Sequence, residues 1–214
     1  MSDFKFTKVK DLRVRYLDSN NRGTPLLLLH GLGGSIESWT NNIGFLSSKF
    51  RIIAIDLPGF GLSDKPKISY SINFYVGLLE EFIKSIRLSH FFMMGSSLGG
   101  HIAVEFTIRN KKNVDKLILV SPAGSLPKTF KGTKELRKYL RIVNAKSSRE
   151  VSRILSSIDN SMVSRSYADA IYKRMSLPGA KQGFISAFKG SAMAPRYNNK
   201  LARIDSDMLL IWGR

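Results

Sequence analysis

Cysteine is absent from the 214-residue sequence, which excludes disulfides, thiol nucleophiles and thiolate metal sites within it. The sequence also lacks any apolar run near the roughly 18 residues that a membrane-spanning helix needs. The first ten residues alternate in charge and have no apolar segment typical of a secretory signal. From these absences we expect a soluble, cytoplasmic protein with no metal and no cofactor, and the length suits one domain with a sizeable core.

Acidic residues are scarce, because 16 Asp and Glu stand against 34 Lys and Arg, for a formal net charge of +18. Residues 125–214 alone hold 18 basic and 6 acidic side chains. A basic surface attracts anionic substrates, acidic carrier proteins, membranes or nucleic acid. The cations are scattered and no nucleic-acid motif accompanies them, so nucleic acid is not expected as a partner. A solvated basic face is the simplest interpretation of this charge.

The most informative motif is G-x-S-x-G at residues 95–99, directly after the apolar run 90–94. Apolar residues recur at helical spacing behind it, so the motif is predicted to be a strand-to-helix turn. Such a turn lifts a serine hydroxyl clear of the sheet, and the helix N-terminus directs N–H groups and partial positive charge at it. Ser97 is therefore the candidate nucleophile, with Ser96 expected to point away from substrate.

Two further apolar runs end in glycine-rich loops. Residues 25–29 (PLLLL) lead into HGLGGS, and residues 51–55 (RIIAI) lead into DLPGFGLSD. Continuous apolar runs are typical of strands buried on both faces of a parallel sheet. The three loops are then expected at one sheet edge, the carboxyl edge at which α/β proteins bind ligands.

These motifs, in this order and spacing, resemble the α/β-hydrolase superfamily, in particular capped serine hydrolases such as esterases, carrier-protein methyl esterases and meta-cleavage-product hydrolases. The resemblance implies an α/β fold with a mostly parallel sheet, helices on both faces and a helical cap. It divides the chain into a core at residues 1–124, a cap at residues 125–200 and a return to the core through strand seven at residues 201–214. Residues 125–200 match only loosely, with helical stretches expected at 134–143, 148–158 and 165–175.

The resemblance also implies roles for individual residues. The oxyanion hole would consist of the backbone N–H groups of Leu98 and Leu32, with Gly33 as a neighbour able to substitute. His30 is expected to shape the oxyanion loop, and His101 to pack below the site. Asp56 is expected to brace the turn that follows its strand.

In this superfamily the triad runs in the order Ser, acid, His. The sequence ends at Arg214, before the acid and the histidine are expected, so no triad acid or histidine is assigned in this chain. We expect a C-terminally truncated hydrolase whose last strand and helix are missing and which is inactive alone.

Hydrolysis of carboxylic esters or related carbonyl substrates is the leading function, with an anionic or carrier-bound acyl group as a possible substrate. Haloperoxidase-like and C–C bond hydrolases use the same residues and are not separated by the sequence. The alternative is a non-catalytic binding protein of the same fold.

Overall fold

The structure, a computed structural model, describes residues 3–124, 140–159 and 163–213. The strands are β1 (Asp3–Val9), β2 (Leu12–Asp18), β3 (Thr24–Leu29), β4 (Phe50–Ile55), β5 (Phe91–Ser96), β6 (Val114–Val120) and β7 (Asp207–Ile211). The α-helices are α1 (Thr40–Leu46), α2 (Ile72–Ser85), α3 (Leu98–Arg109), α4 (Ser148–Asp159), α5 (Arg165–Met175) and α6 (Ala180–Met193). Two 3-10 helices span Ile36–Trp39 and Asn198–Arg203.

One sheet contains all seven strands, in the order β1-β2-β4-β3-β5-β6-β7. β1 pairs with β2 and β2 pairs with β4 in antiparallel fashion, whereas every later pair is parallel. β1 and β2 form an N-terminal hairpin, and the mostly parallel sheet that the resemblance implies is confirmed. Because β3, β4 and β5 are parallel neighbours, their carboxyl ends and the three glycine-rich loops meet at one edge.

Apolar residues of β3 alternate between two cores. Leu27 and Leu29 face α2 and α3, while Leu26 and Leu28 face the other side of the sheet with Trp39. A strand that is buried on both faces reads as a continuous apolar run, which explains the PLLLL signature. Helices therefore cover both faces, as the sequence predicts.

The chain after the first glycine-rich loop forms two consecutive elements, the 3-10 helix Ile36–Trp39 followed by α1. Ser35 caps the first element, and Trp39 leaves helical geometry at φ −104° and ψ 2°. The side chain of Trp39 is buried against the sheet, so packing interrupts the regular helix.

The helices predicted at 148–158 and 165–175 match α4 and α5. Of the stretch 134–143, residues 134–139 lie outside the described residues, and residues 140–142 are helical. Helix α6 was not predicted. The division into core, cap and return stays a prediction.

β7 lies at the end of the sheet and pairs with β6. All five of its residues are exposed, including Leu209 and Leu210. Within the described part of the chain, no helix has both the length and the apolar character needed to cross a bilayer.

Candidate active site

Ser97 lies at a sharp turn between β5 and α3. Its backbone has φ 49° and ψ −113°, a conformation that side-chain-bearing residues rarely adopt. Its N–H donates to the carbonyl of Val120 at 3.0 Å, and its carbonyl accepts from the N–H of Ala123 at 2.9 Å. Hydrogen bonds to the last residue of β6 and to the chain just after that strand thus hold the strained turn in place.

Glycine is required on both sides of Ser97 by close backbone contacts. A Cβ at Gly95 would lie 2.4 Å from the carbonyl oxygen of Gly99, and a Cβ at Gly99 would lie 2.3 Å from that of Leu29. At Gly31 a Cβ would lie 3.3 Å from the Cβ of Ser97 and 3.9 Å from its Oγ. The loop after β3 therefore passes directly beside the Ser97 side chain.

The predicted oxyanion residues come together with Ser97 around one cavity, whose lining includes Leu32 and Leu98. Leu98 is the first residue of α3, so its N–H has no acceptor within the helix. Gly33 takes φ +74°, which sets the bend of the Leu32 loop. The arrangement groups a hydroxyl, a helix N-terminus and a bent loop at one point.

His30 is fully buried, and both of its ring nitrogens are engaged. Nε2 accepts from the N–H of Leu57 at 3.0 Å, so the neutral ring carries its proton on Nδ1, which donates to the carbonyl of Gly31 at 2.7 Å. Burial lowers the pKa of His30 and so favours this neutral form. His30 thus links the loops after β3 and β4, and its ring has no nitrogen left to act as a base.

Asp56 braces the same region. Its buried carboxylate accepts from the N–H of Ile36 at 2.7 Å and from the N–H of Leu62 at 2.8 Å, and it pairs with Arg15 at 3.2 Å. These bonds connect the loop after β4 to the start of the 3-10 helix that follows the glycine-rich loop. The Asp56 carboxylate therefore has a structural role, as the sequence suggests.

The cavity has a volume of about 1220 Å³ and reaches from the carboxyl edge of the sheet to helices α4, α5 and α6. The helices contribute mostly apolar side chains: Leu155, Ile171, Met175, Phe184 and Phe188. Trp39 lines the cavity as well as packing on the sheet, whereas Phe60 packs edge-on against His30. Ser96 is also among the lining residues of the cavity, and the expected direction of its side chain stays a prediction.

Two arginines, Arg174 and Arg196, line the cavity, and no aspartate or glutamate is among its described lining residues. Nη1 of Arg174 lies 3.6 Å from Oε2 of Glu37, which also pairs with Arg15 at 2.8 Å. Burial alone would raise the pKa of Glu37, but hydrogen bonds from Ser35 and Arg15 outweigh it and lower the pKa. Within the described structure, the buried Nε of Arg174 has no hydrogen-bond partner.

The other two histidines lie away from the cavity lining. The His101 ring is buried and packs edge-on against Tyr197, and burial lowers its pKa to about 4. His90 is exposed and pairs with Asp115 at 3.1 Å. The described residues thus offer no histidine that is free to deprotonate Ser97, and they contain no group of three His, Asp or Glu side chains suited to a metal ion.

Residues 24–214 match the family described as alpha/beta hydrolase fold. The chain belongs to this family. It is 26% identical to the dihydrolipoyllysine-residue acetyltransferase component of an acetoin cleaving system from Cupriavidus necator, over 98% of this chain and 56% of that protein. The chain thus spans little more than half the length of that relative.

A second relative is a 2-hydroxy-6-oxononadienedioate/2-hydroxy-6-oxononatrienedioate hydrolase from Burkholderia vietnamiensis, 25% identical over 95% of this chain and 75% of that protein. Among solved structures, a meta-cleavage product hydrolase from Pseudomonas fluorescens superposes with a TM-score of 0.83. The match covers 98% of this chain and 79% of that one, at 24% identity. The superposition confirms the α/β-hydrolase fold that the sequence motifs predict.

Proposed function

We propose that this protein is a serine hydrolase that acts on carboxylic esters or related carbonyl substrates, with Ser97 as the nucleophile. The observation that carries the proposal is the strained turn at Ser97, beside Gly31 and at the N-terminus of α3, in the wall of a large apolar cavity. A conformation of this kind costs about 1–3 kcal/mol and persists where the surrounding structure enforces it.

In the proposed reaction, a general base takes the hydroxyl proton of Ser97 as Oγ forms a bond to the carbonyl carbon, and the electron pair of the C=O bond moves to the carbonyl oxygen. The N–H groups of Leu98 and Leu32 donate to this oxyanion, and the α3 dipole adds to its stabilisation. The intermediate then collapses, the C–O bond to the alkoxy group breaks, and the protonated base gives its proton to the leaving oxygen, so that an alcohol departs. The base next takes a proton from water, which attacks the acyl-enzyme and releases the carboxylic acid and Ser97. In such a mechanism the base is a histidine held by a carboxylate, and neither is among the described residues.

We further propose that the substrate carries an anionic group. Arg174 and Arg196 give the cavity positive charge, and no carboxylate is among its described lining residues. An ester bearing a carboxylate or phosphate would satisfy these donors. The basic composition of residues 125–214 supports the same preference.

Ester hydrolysis by the protein from its natural source tests the proposal. Ser97→Ala should lower kcat for a short-chain ester by at least a thousandfold, while Ser121→Ala, in the same cavity wall, should keep most of it. Arg174→Met should raise KM about tenfold for an ester with a terminal carboxylate and leave a neutral ester of equal length unaffected. Full activity of Ser97→Ala would refute the role of Ser97.

A non-catalytic binding protein is the second candidate. It is favoured by the engagement of His30 and by the position of His101 away from the cavity lining, since the described residues then hold no base for Ser97. This candidate predicts that acyl compounds bind in the cavity without turnover and that Ser97→Ala leaves their Kd unchanged.

A further inference from the structure

Helix α6 presents two different faces. Ala180, Gly183, Phe184 and Ala187 are buried. The other side carries four exposed residues at intervals of four: Lys181, Ile185, Lys189 and Met193. This spacing places them in one row along the helix. Together with Arg196 we call these residues the α6 face.

The α6 face combines three cations with two exposed apolar side chains. Ile185 is 40% exposed and Met193 is 80% exposed. The chain continues from Met193 through Ala194 and the exposed Pro195 to Arg196. Apolar side chains thus project from the end of the helix, with cations before and after them.

The C-terminal end of the α6 face lies at the mouth of the cavity. Met193 and Arg196 both line it, as does Tyr167, which is 46% exposed. Residues that are both lining and exposed mark the place where a cavity opens to solvent. Whatever covers the α6 face would therefore meet the opening that leads to Ser97.

The basic charge of helix α6 and its surroundings indicates which kind of partner would cover the α6 face. Helix α6 contains no acidic residue, and residues 163–203 hold eight Lys and Arg against the single acid Asp169. An acidic protein surface would pair with the lysines but would leave Ile185 and Met193 against polar groups. An anionic bilayer offers phosphates to the cations and acyl chains to the apolar side chains, and lysine stems lie readily along such a boundary.

We propose that the α6 face docks on an anionic lipid surface and places the cavity mouth against the bilayer. Ile185 and Met193 enter the acyl boundary, while Lys181, Lys189 and Arg196 remain among the headgroups. This docking does not depend on the proposed hydrolase activity.

Flotation with vesicles tests the proposal, using the Ser97→Ala protein so that no lipid is cleaved. Vesicles of phosphatidylcholine with 30% phosphatidylglycerol are compared with vesicles of phosphatidylcholine alone. We expect binding to the anionic vesicles that weakens with added salt. Ile185→Asp/Met193→Asp should lower the partition coefficient at least tenfold, and Lys181→Gln/Lys189→Gln roughly twentyfold.

Phe45→Asp/Lys49→Gln is the matched control, because it removes an exposed apolar residue and an exposed lysine next to α1. It should bind the anionic vesicles as the parent does, and circular dichroism checks that all variants are folded. Absence of binding, equal binding to both vesicle types, or equal loss in the control would overturn the proposal.

Two other results would also overturn it. If Ile185→Asp/Met193→Asp keeps full vesicle binding while Lys181→Gln/Lys189→Gln loses it, the face binds polyanions through its charge alone and does not enter the bilayer. If sedimentation velocity without lipid shows a dimer that Met193→Asp dissociates, the α6 face is an interface between two copies of the chain.

Discussion

Single backbone contacts decide which residues are tolerated around Ser97. At Gly99 a Cβ would lie 2.3 Å from the carbonyl oxygen of Leu29, too close for any rotamer change to relieve. Gly99→Ala should lower the free energy of unfolding by about 2–3 kcal/mol, since overpacking outweighs the roughly 1 kcal/mol that alanine adds to helix propensity. Urea unfolding measures this change.

Gly44→Ala is the matched control for that substitution. Gly44 lies within α1, and a Cβ there has no atom within 4 Å. Because only the higher helix propensity of alanine then acts, the free energy of unfolding should rise by up to about 1 kcal/mol. If both alanine variants were equally stable, the close approach of α3 to β3 would not constrain Gly99.

His101 makes stability depend on pH. Burial lowers its pKa from 6.5 to about 4, so between these values the unfolded chain binds a proton that the folded chain does not. The contribution of His101 to the free energy of unfolding is therefore highest above pH 6.5, and it falls by about 3 kcal/mol as the pH drops to 4. His101→Phe should therefore flatten the decline of unfolding free energy from pH 7 to pH 5.

The exposed His90 provides the comparison, because His90→Gln removes an imidazole that solvent already surrounds. Its pH profile should follow that of the parent. An unchanged slope in His101→Phe would show that the buried imidazole is not responsible for the acid sensitivity.

Some site residues are predictable from the sequence and others are not. Ser97 and Leu98 lie between Gly95 and Gly99, and Leu32 lies between Gly31 and Gly33, so the glycine spacing already predicts the turn and the loop. Arg174 is one of 34 cations, and nothing local distinguishes it. Only the packing of α5 over the sheet edge places it in the cavity, 137 positions from its partner Glu37.

Among the elements, α6 is held by contacts that involve its glycines. A Cβ at Gly183 would lie 2.6 Å from the carbonyl oxygen of Gly59, and one at Gly190 would lie 2.2 Å from that of Tyr70. The N–H of Tyr70 also donates to the Ser186 hydroxyl, which in turn donates to the carbonyl of Ile68. The helix thus lies directly on the loop that precedes α2.

Gly190→Ala should push α6 away from this loop. Amide hydrogen exchange within residues 180–193 should then become at least tenfold faster, with exchange in α2 unchanged. Gly77→Ala in α2 is the control, because the nearest atom to its added Cβ is the flexible Lys10 ammonium nitrogen at 3.8 Å. Unaltered exchange in α6 would mean that the glycine contact does not hold the helix in place.

The same contacts explain why the sequence predicts some elements and misses α6. Strands β3, β4 and β5 are continuous apolar runs that end in glycine loops, and α2 has a full apolar face. The packed side of α6 includes Gly183, Ala187 and Gly190, so close approach replaces the hydrophobic periodicity that marks a helix. The 3-10 helix before α1 ends at Trp39, whose burial against the sheet depends on packing that the sequence alone does not show.

For the molecule as a whole, the net charge of +18 should steer anionic substrates toward the cavity. The second-order rate constant kcat/KM for an ester with a terminal carboxylate should fall several-fold between 0.02 M and 0.5 M NaCl, because salt screens the field. A neutral ester of the same length should respond little. If salt changed kcat/KM equally for both esters, the net charge of the protein would not steer anionic substrates to the cavity.

Covalent labelling tests the central claim, that Ser97 is a nucleophile. The protein from its natural source is treated with a fluorophosphonate, digested, and the modified peptide is identified by mass spectrometry. We expect one modification, on Ser97, that is lost in Ser97→Ala and retained in Ser121→Ala. An unmodified protein, or a label that persists in Ser97→Ala, would contradict the account and favour the binding protein.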